Sequence, residues 1–301
     1  MSTVYFAGWD GGATSTTIEC INENRETVLR VKAGPLNAHG NSPQKIGQTI
    51  KDALSHMSTL PGGLAAFRRL CIGGAGASGK DTRNIWTQSL EAGGFHAPYD
   101  LVSDFETAFY GAFSGASGIV LISGTGTVCY GMNETGAFHR CGGWGHRFDD
   151  EGSGYAIGRD VLKAVVKAFD GRAKATVLAE KLFDLWNINN IPELITKAYA
   201  KETGKKEIAA LAALCDEASK MGDEPSIEIL KIAADSVVAL LSTTADKLAV
   251  ASIDTVLMGG AVEKGRMFRT VLDKSLPERF LVCEPKADAA KGAALMALHR
   301  N

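Results

Sequence analysis

Residues 121–130 read Leu-Ile-Ser-Gly-Thr-Gly-Thr-Val-Cys-Tyr, an apolar run followed by a turn of small residues and a second β-rich run. The start of the chain has the same order. Val4–Trp9 leads into Asp10-Gly11-Gly12-Ala13-Thr14, and Thr14–Cys20 then resumes the β-rich pattern. Because a strand, a turn and a strand begin two segments of the chain, the sequence predicts two structurally related halves.

The segments outside these two hairpins alternate between strand and helix patterns. In the first half, Thr27–Ala33 completes an antiparallel meander, and later strands alternate with helices. In the second half, residues 152–251 are mostly helical. This order predicts an α/β protein with an N-terminal domain over residues 1–115 and a C-terminal domain with a helical insertion over 116–285. Residues 286–301 are expected to form a helix that packs back on the N-terminal domain.

Composition and charge exclude several kinds of partner. Lys+Arg number 32 and Asp+Glu number 34, so the net charge is −2 and we expect neither nucleic acid nor an anionic membrane as a partner. No run approaches the ~18 apolar residues of a membrane span, and the first residues lack the basic region of a signal peptide. We therefore expect a cytoplasmic protein whose six cysteines are reduced thiols.

Three glycine-rich turns are candidate anion-binding sites. They are residues 10–14, the turn that contains Gly124, Thr125 and Gly126, and the pair Gly259-Gly260. Glycine lets successive N–H groups approach an anion without an intervening Cβ, and a neighbouring threonine adds a hydroxyl donor. One such turn alone is typical of an ordinary hairpin, but three turns at strand ends favour a polyphosphate site. The glycine spacings of a P-loop and of a dinucleotide fingerprint are both missing from the sequence.

Two aspartates at strand ends are candidates for the chemistry. Asp10 ends the first strand, where a carboxylate suits Mg²⁺ held through water, although aspartate also commonly begins a turn. Asp104 follows a later strand, at the end where α/β sheets place ligand-binding residues. Ser103 and Glu106 form a Ser-x-x-Glu capping box, so the following helix does not need Asp104 as its cap. We predict that Asp104 is a catalytic base.

Residues 141–153 read Cys-Gly-Gly-Trp-Gly-His-Arg-Phe-Asp-Asp-Glu-Gly-Ser and form the densest polar cluster. Carboxylates and glycine N–H groups suit the recognition of vicinal sugar hydroxyls. A metal site made of His139, Cys141 and His146 would match no structural zinc spacing. A further alternative is that Asp149 or Asp150 caps the helix that begins near residue 152.

These motifs together resemble N-acetylglucosamine kinases, which belong with the sugar kinases, heat-shock ATPases and actin. The resemblance covers essentially the whole chain, and its most specific part is Gly-Gly-Trp-Gly-His at 142–146 followed by Asp-Glu-Gly-Ser at 150–153. It implies a BadF/BadG-type ATPase domain with a two-domain, actin-like (ribonuclease H-like) fold and an active-site cleft between the domains. It also implies phosphorylation of N-acetylglucosamine at its 6-hydroxyl with ATP and Mg²⁺. We expect a homodimer.

The resemblance also implies a role for each motif. Residues 10–14 would form the first phosphate loop and residues 123–127 the second, while Gly259-Gly260 would lie against the adenosine. Asp104 would take the proton from the sugar 6-hydroxyl. The residues expected to contact the sugar are Asn37, Asp104, Thr125, Gly142, Gly143 and Asp150.

Two departures from the family pattern leave alternatives open. Ala13 replaces the third glycine of Asp-Gly-Gly-Gly-Thr, and Asp149 replaces a glycine that often precedes Asp-Glu-Gly-Ser. Residues 284–295 also resemble bacterial glucosamine kinases, and the extra carboxylate suits a cationic amine, so a glucosamine kinase is the alternative.

Two more distant alternatives belong to other classes of protein. One is an ATPase activator with an iron–sulfur cluster, but the cysteines lack the spacing that binds such a cluster. The other is a sugar-responsive regulator, but no helix-turn-helix segment precedes Val4.

Overall fold

A computed structural model describes residues 4–12, 14–37, 40–74, 76–77 and 79–301. The chain divides into two compact units. The first unit runs to Ala116 and takes in Glu284–Asn301, and the second comprises Ser117–Cys283. Within the described ranges, no helix combines the length and the apolar character that crossing a bilayer requires.

Each unit is built on a five-stranded sheet. The strands of the first unit are β1 (Tyr5–Gly11), β2 (Thr16–Asn22), β3 (Thr27–Ala33), β4 (Phe67–Gly74) and β5 (Tyr99–Val102). Those of the second are β6 (Gly118–Ser123), β7 (Thr127–Met132), β8 (Phe138–Gly142), β9 (Ile253–Met258) and β10 (Phe280–Val282). The strand orders are β3-β2-β1-β4-β5 and β10-β9-β6-β7-β8.

The two sheets share one topology. In each sheet the first three strands form an antiparallel meander, as predicted for the first half. The next two strands are parallel to the first strand and extend the sheet on its other side. The predicted relation between the two halves is therefore confirmed at the level of strand order and direction.

Helices flank both sheets. Those of the first unit are α1 (Pro43–Ser58), a 3₁₀ turn (Gly63–Ala66), α2 (Lys80–Ala92) and α3 (Asp104–Phe113). Those of the second are α4 (Gly154–Phe169), α5 (Leu178–Trp186), α6 (Ile191–Ala198), α7 (Lys205–Ala210), α8 (Ala212–Lys220), α9 (Glu224–Lys247), α10 (Gly260–Lys264) and α11 (Arg266–Ser275). The final helix, α12 (Ala289–His299), belongs to the first unit.

The start of α4 decides between two readings of the acidic segment. The hydroxyl of Ser153 accepts a hydrogen bond from the N–H of Ala156 at 3.1 Å, so this serine caps the helix. The alternative in which Asp149 or Asp150 caps it is wrong, because the chain reaches helical geometry only after Ser153.

The first unit buries both faces of its sheet. One face packs Trp9 and Ile18 against Ile50 of α1 and Trp86 of α2. The opposite face packs Phe6, Ile21 and Cys71 against residues 293–297 of α12. The core of this unit is therefore completed by a helix from the far end of the chain.

One strand of the second sheet was not predicted. Strand β8 contains His139, Arg140 and Cys141, and Phe138 at its start is 69% exposed. It lies at the edge of the sheet and pairs with β7 alone. A half-exposed edge strand shows no clear alternation of apolar and polar residues, which is the signal that sequence analysis needs.

Candidate active site

The first-unit cluster gathers around the turn that follows β1. We define it as Asp10, Gly11, Gly12, Thr14, Asn37 and Asp104. The backbone N–H groups of Leu36 and Asn37 donate to the carbonyl of Gly12 at 3.2 and 3.3 Å. The segment that carries Asn37 is thereby tied to the first glycine turn. Ala13, which was predicted to belong to this turn, lies outside the described residues.

Asp10 stands in an electronegative environment at the end of β1. Burial, together with the negative charges of Asp104 and Asp288, raises the pKa of this carboxyl to about 6. Arg30, which pairs with Asp288 and with the buried Glu19, opposes this rise. Surroundings that disfavour a negative charge on Asp10 would favour a cation beside it.

Asp104 is the first residue of α3 and is exposed. The carboxylate of Glu106 accepts from the N–H of Ser103 at 2.9 Å and from its hydroxyl at 2.6 Å, as the capping box predicts. Because β1, β4 and β5 are parallel, the Asp104 carboxylate lies at the same end of the sheet as Asp10.

The second-unit cluster contains the other predicted residues, namely Gly124, Thr125, Gly126, Gly142, Gly143, Asp150, Gly259 and Gly260. Three hydrogen bonds join the turn at 123–127 to the block at 150–154. They run from Ser123 Oγ to Gly152 O (2.7 Å), from Gly154 N to Gly124 O (2.7 Å) and from Thr127 N to Asp150 Oδ1 (3.2 Å). The glycine turn and the acidic block therefore form one connected structure.

Asp150 is a buried carboxylate, 4% exposed, with a left-handed backbone at φ +68°. Its Oδ2 pairs with the ammonium of Lys205 at 2.7 Å. At Gly126 an added Cβ would lie 3.1 Å from both carboxylate oxygens and from the Lys205 Nζ, so glycine leaves room for this ion pair. Sequence analysis missed Lys205, because Gly-Lys-Lys at 204–206 indicates only an exposed start of a helix.

The glycine loop after β8 is closed by its own polar contacts. Gly142 and Gly143 have φ values of +74° and +77°, which favour glycine. The carboxylate of Asp149 accepts from the N–H of Trp144 at 2.7 Å. Arg140 donates to the carbonyls of Gly142 and Gly143 and stacks over the Trp144 ring at 4.3 Å. Asp149, the departure from the family pattern, thus has a structural contact within the loop.

The structure does not support a zinc site at His139, Cys141 and His146. Across the described ranges, no group of three or more His, Cys, Asp or Glu side chains could hold a metal ion, and this includes His139, Cys141 and His146. The ring of His146 instead contacts the ring of Tyr155 edge-on, with 4.8 Å between the centroids.

A cavity of about 630 Å³ opens beside the second glycine turn, within the second unit. It is lined by residues that include Gly124, Thr125, Gly154, Lys206, Asp216, Lys220, Gly260, Lys264 and Phe268. The volume is that of a small-molecule site. At Gly259 the φ is +101° and an added Cβ would lie 2.6 Å from the carbonyl oxygen of Ser123, so the third glycine turn packs directly on the second.

Two sheets of one topology, with a glycine turn after the first strand of each and a cavity beside the second turn, are the features of a two-domain, actin-like ATPase. The chain belongs to the BadF/BadG/BcrA/BcrD ATPase family, whose family model matches residues 7–297. Membership of this family implies the use of ATP.

Three similar proteins extend this assignment. An N-acetylmuramic acid/N-acetylglucosamine kinase from Clostridium acetobutylicum is 31% identical over 97% of this chain and 98% of its own. An N-acetyl-D-glucosamine kinase from Dictyostelium discoideum is 29% identical over 99% of both chains. A crystal structure from Chromobacterium violaceum, assigned as an N-acetylglucosamine kinase, has a TM-score of 0.78 at 24% identity and covers 99% of this chain and 100% of that one. This structural similarity supports the assignment of the fold.

Proposed function

We propose that the protein transfers the γ-phosphoryl group of ATP to the 6-hydroxyl of N-acetylglucosamine. The observation that carries this proposal is the exposed carboxylate of Asp104 at the same end of the first sheet as Asp10 and its glycine turn. Phosphoryl transfer to a hydroxyl needs a base and a phosphate-binding turn at one place. The two kinases that are 31% and 29% identical support the choice of acceptor.

ATP would be held through both glycine turns. Its adenosine would occupy the 630 Å³ cavity, with Gly259-Gly260 along one wall. Lys206, Lys220 and Lys264 line the same cavity together with Asp216 and Glu217, and Asp216 pairs with Lys220. Lys206 and Lys264 would therefore be the lysines that suit a nucleotide phosphate. The N–H groups of residues 11–14 and 124–126 would contact the phosphate oxygens.

Mg²⁺ would be held by Asp10 through water. Burial and two neighbouring carboxylates raise the pKa of Asp10 to about 6, and a cation would relieve the unfavourable charge. When bound, the metal ion neutralises charge on the β- and γ-phosphates. The role of the chain is to keep a carboxylate at the end of β1, next to the phosphate turn.

The transfer step would proceed at Asp104. Its carboxylate accepts the proton of the 6-hydroxyl while the hydroxyl oxygen forms a bond to the γ-phosphorus. The bond from that phosphorus to the bridging oxygen breaks, and ADP leaves with the electron pair. The residues proposed to position the sugar for this step are Asn37, Thr125, Gly142, Gly143 and Asp150.

N-acetylglucosamine is preferred over glucosamine as the acceptor. The sequence argument for glucosamine rests on the extra carboxylate of Asp149. One oxygen of that carboxylate already accepts from Trp144, which weakens the case for a bound amine there. We further propose that the enzyme acts in the cytoplasm as a homodimer, and light scattering after gel filtration measures that state directly.

A coupled ADP-release assay tests the proposed activity. The acceptors are N-acetylglucosamine, glucosamine, N-acetylmuramic acid, N-acetylmannosamine and glucose, and phosphorus NMR locates the phosphate on the product. We expect the highest kcat/KM with N-acetylglucosamine and a 6-phosphate as product. ADP release that does not depend on any sugar would overturn the proposal in favour of a non-kinase ATPase, and a higher kcat/KM with glucosamine would exchange the acceptor.

A further inference from the structure

Lys205 joins the acidic block from a distant part of the sequence. It is the first residue of α7, and its ammonium lies 2.7 Å from Oδ2 of Asp150. The Asp150 side chain is 5% exposed and the Lys205 side chain is 33% exposed. A carboxylate buried to this extent needs a charged partner, since an unpaired buried charge is strongly destabilising.

Each oxygen of the Asp150 carboxylate has its own donor. The N–H of Thr127 donates to Oδ1 at 3.2 Å, and Lys205 donates to Oδ2. A carboxylate has about four acceptor positions, so both oxygens can still accept from a ligand hydroxyl. The buried hydroxyl of Thr127 has no hydrogen-bond partner in the part of the chain that the structure describes, which leaves a further polar group for a ligand at this point.

The backbone that carries Lys205 is fixed independently of the ion pair. At Gly158, in α4, an added Cβ would lie 1.9 Å from the carbonyl oxygen of Ile208 in α7, so the two helices touch through their backbones. The carboxylate of Glu207 also accepts from the N–H of Gly204 at 2.9 Å and holds the start of α7. The ammonium is therefore presented to Asp150 by the packing of the helix.

The next residue along α7 contributes to a different site. Lys206 lines the cavity beside Gly124 and Thr125, whereas Lys205 reaches Asp150 beside Gly126. Two consecutive lysines thus lie near different residues of one glycine turn.

We infer that Lys205 is a positioning residue for the sugar: it fixes the Asp150 carboxylate in the orientation that accepts sugar hydroxyls. This inference rests on the proposed function. Lys206 serves the nucleotide instead, so the two neighbouring lysines are divided between the two substrates. Removing the charge of Lys205 should therefore weaken sugar binding and leave nucleotide binding intact.

The test compares three lysine-to-methionine variants of the full chain with the wild type. Steady-state kinetics give the KM values for N-acetylglucosamine and for ATP, and isothermal titration with ADP reports on the nucleotide site without turnover. For Lys205→Met we expect a tenfold or greater rise in the sugar KM, with the KM for ATP and the Kd for ADP within threefold of the wild type. Lys206→Met should show the reverse pattern. Lys201→Met alters an exposed lysine in the connection between α6 and α7; it is the matched control and should change neither KM.

Lys205→Arg retains the charge and should restore the sugar KM to within about threefold of the wild type. A sugar KM for Lys205→Met within twofold of the wild type overturns the inference. So does a parallel loss of sugar and ADP binding, or a failure of Lys205→Met to fold, because Lys205 is then a structural support of the whole unit. A wild-type protein that phosphorylates none of the amino sugars overturns the proposed function itself, which separates the two failures.

Discussion

The carboxylate of Asp216 accepts a hydrogen bond from the backbone N–H of Met267 at 2.7 Å. The same oxygen accepts from the N–H of Phe268 at 3.1 Å. Asp216 lies on α8, whereas both donors lie in the first turn of α11, which is preceded by Gly265 and so has no capping side chain of its own. One helix therefore caps another, and residues from both line the cavity that we propose for the nucleotide.

Replacing Asp216 with alanine should loosen this wall of the cavity. Asp216→Ala leaves two N–H groups at the start of α11 without an acceptor, and we expect a loss of about 1–3 kcal/mol in the free energy of unfolding. The KM for ATP should rise while the KM for the sugar changes little. Urea unfolding and steady-state kinetics measure the two effects. Asp273→Ala, which removes an exposed ion pair within α11, should cost less than about 1 kcal/mol, and an equal cost for both variants would contradict the capping role.

Asp10 should make the protein less stable at neutral pH than it would be without this charge. Burial and the charges of Asp104 and Asp288 raise its pKa to about 6 from 3.8, so the folded state binds the proton more tightly than the unfolded state. Stability from this group is therefore greatest below about pH 4 and is lost as the pH rises through about 6. The shift of about two pKa units sets an upper limit of about 3 kcal/mol.

The variant Asp10→Asn keeps the shape of the side chain and removes its charge. We expect its melting temperature to exceed that of the wild type near pH 8 and to approach it near pH 4, while kinase activity falls. Thermal unfolding at both pH values measures this. A variant that is no more stable than the wild type near pH 8 would show that Asp10 is not under electrostatic strain.

Asp104→Asn should abolish most of the turnover without damaging the fold. Loss of a general base costs about 10²–10⁴-fold in rate. The amide retains a similar shape and the capping box of Ser103 and Glu106 is untouched, so the melting temperature should stay close to that of the wild type. Asp81→Asn, a change in the first turn of α2, is the control for a lost charge at a helix start. Turnover within tenfold of the wild type would remove Asp104 from the mechanism.

Asp150→Ala and Ser153→Ala should affect different properties of the protein. Because Ser153 is the cap of α4, its loss should lower stability by about 0.5–2 kcal/mol and leave the sugar KM unchanged. Loss of Asp150 should raise the sugar KM by a factor of ten or more, since a charge-assisted hydrogen bond to substrate is worth about 1.5–3 kcal/mol. Kinetics and thermal unfolding of both variants decide the matter. An unchanged sugar KM in Asp150→Ala would leave it with a structural role only.

The framework of the fold was predictable because it rests on local signals. Alternating apolar residues and glycine turns located β1, β2, β6 and β7, and the repeated strand–turn–strand pattern indicated the shared topology. The Ser-x-x-Glu spacing correctly predicted the contact between Ser103 and Glu106. In each case the interacting residues are neighbours in the sequence.

The remaining features depend on residues that meet only in the folded chain. Lys205 lies 55 positions from Asp150, and Asp216 lies 51 positions from Met267. Each is a polar residue near the start of or within a helix, a pattern that usually indicates an exposed surface. Neither local spacing nor residue type distinguishes them from the other charged residues of the helical segment.

The return of α12 to the first unit has a consequence for synthesis on the ribosome. The second unit has all its strands once β10 has emerged, whereas the first unit still lacks the helix that covers Phe6 and Cys71. Domains generally fold as units during translation, and an uncovered apolar face favours aggregation. The unit that is translated first is therefore the last to close its core, and its nascent form is the one most in need of chaperone protection.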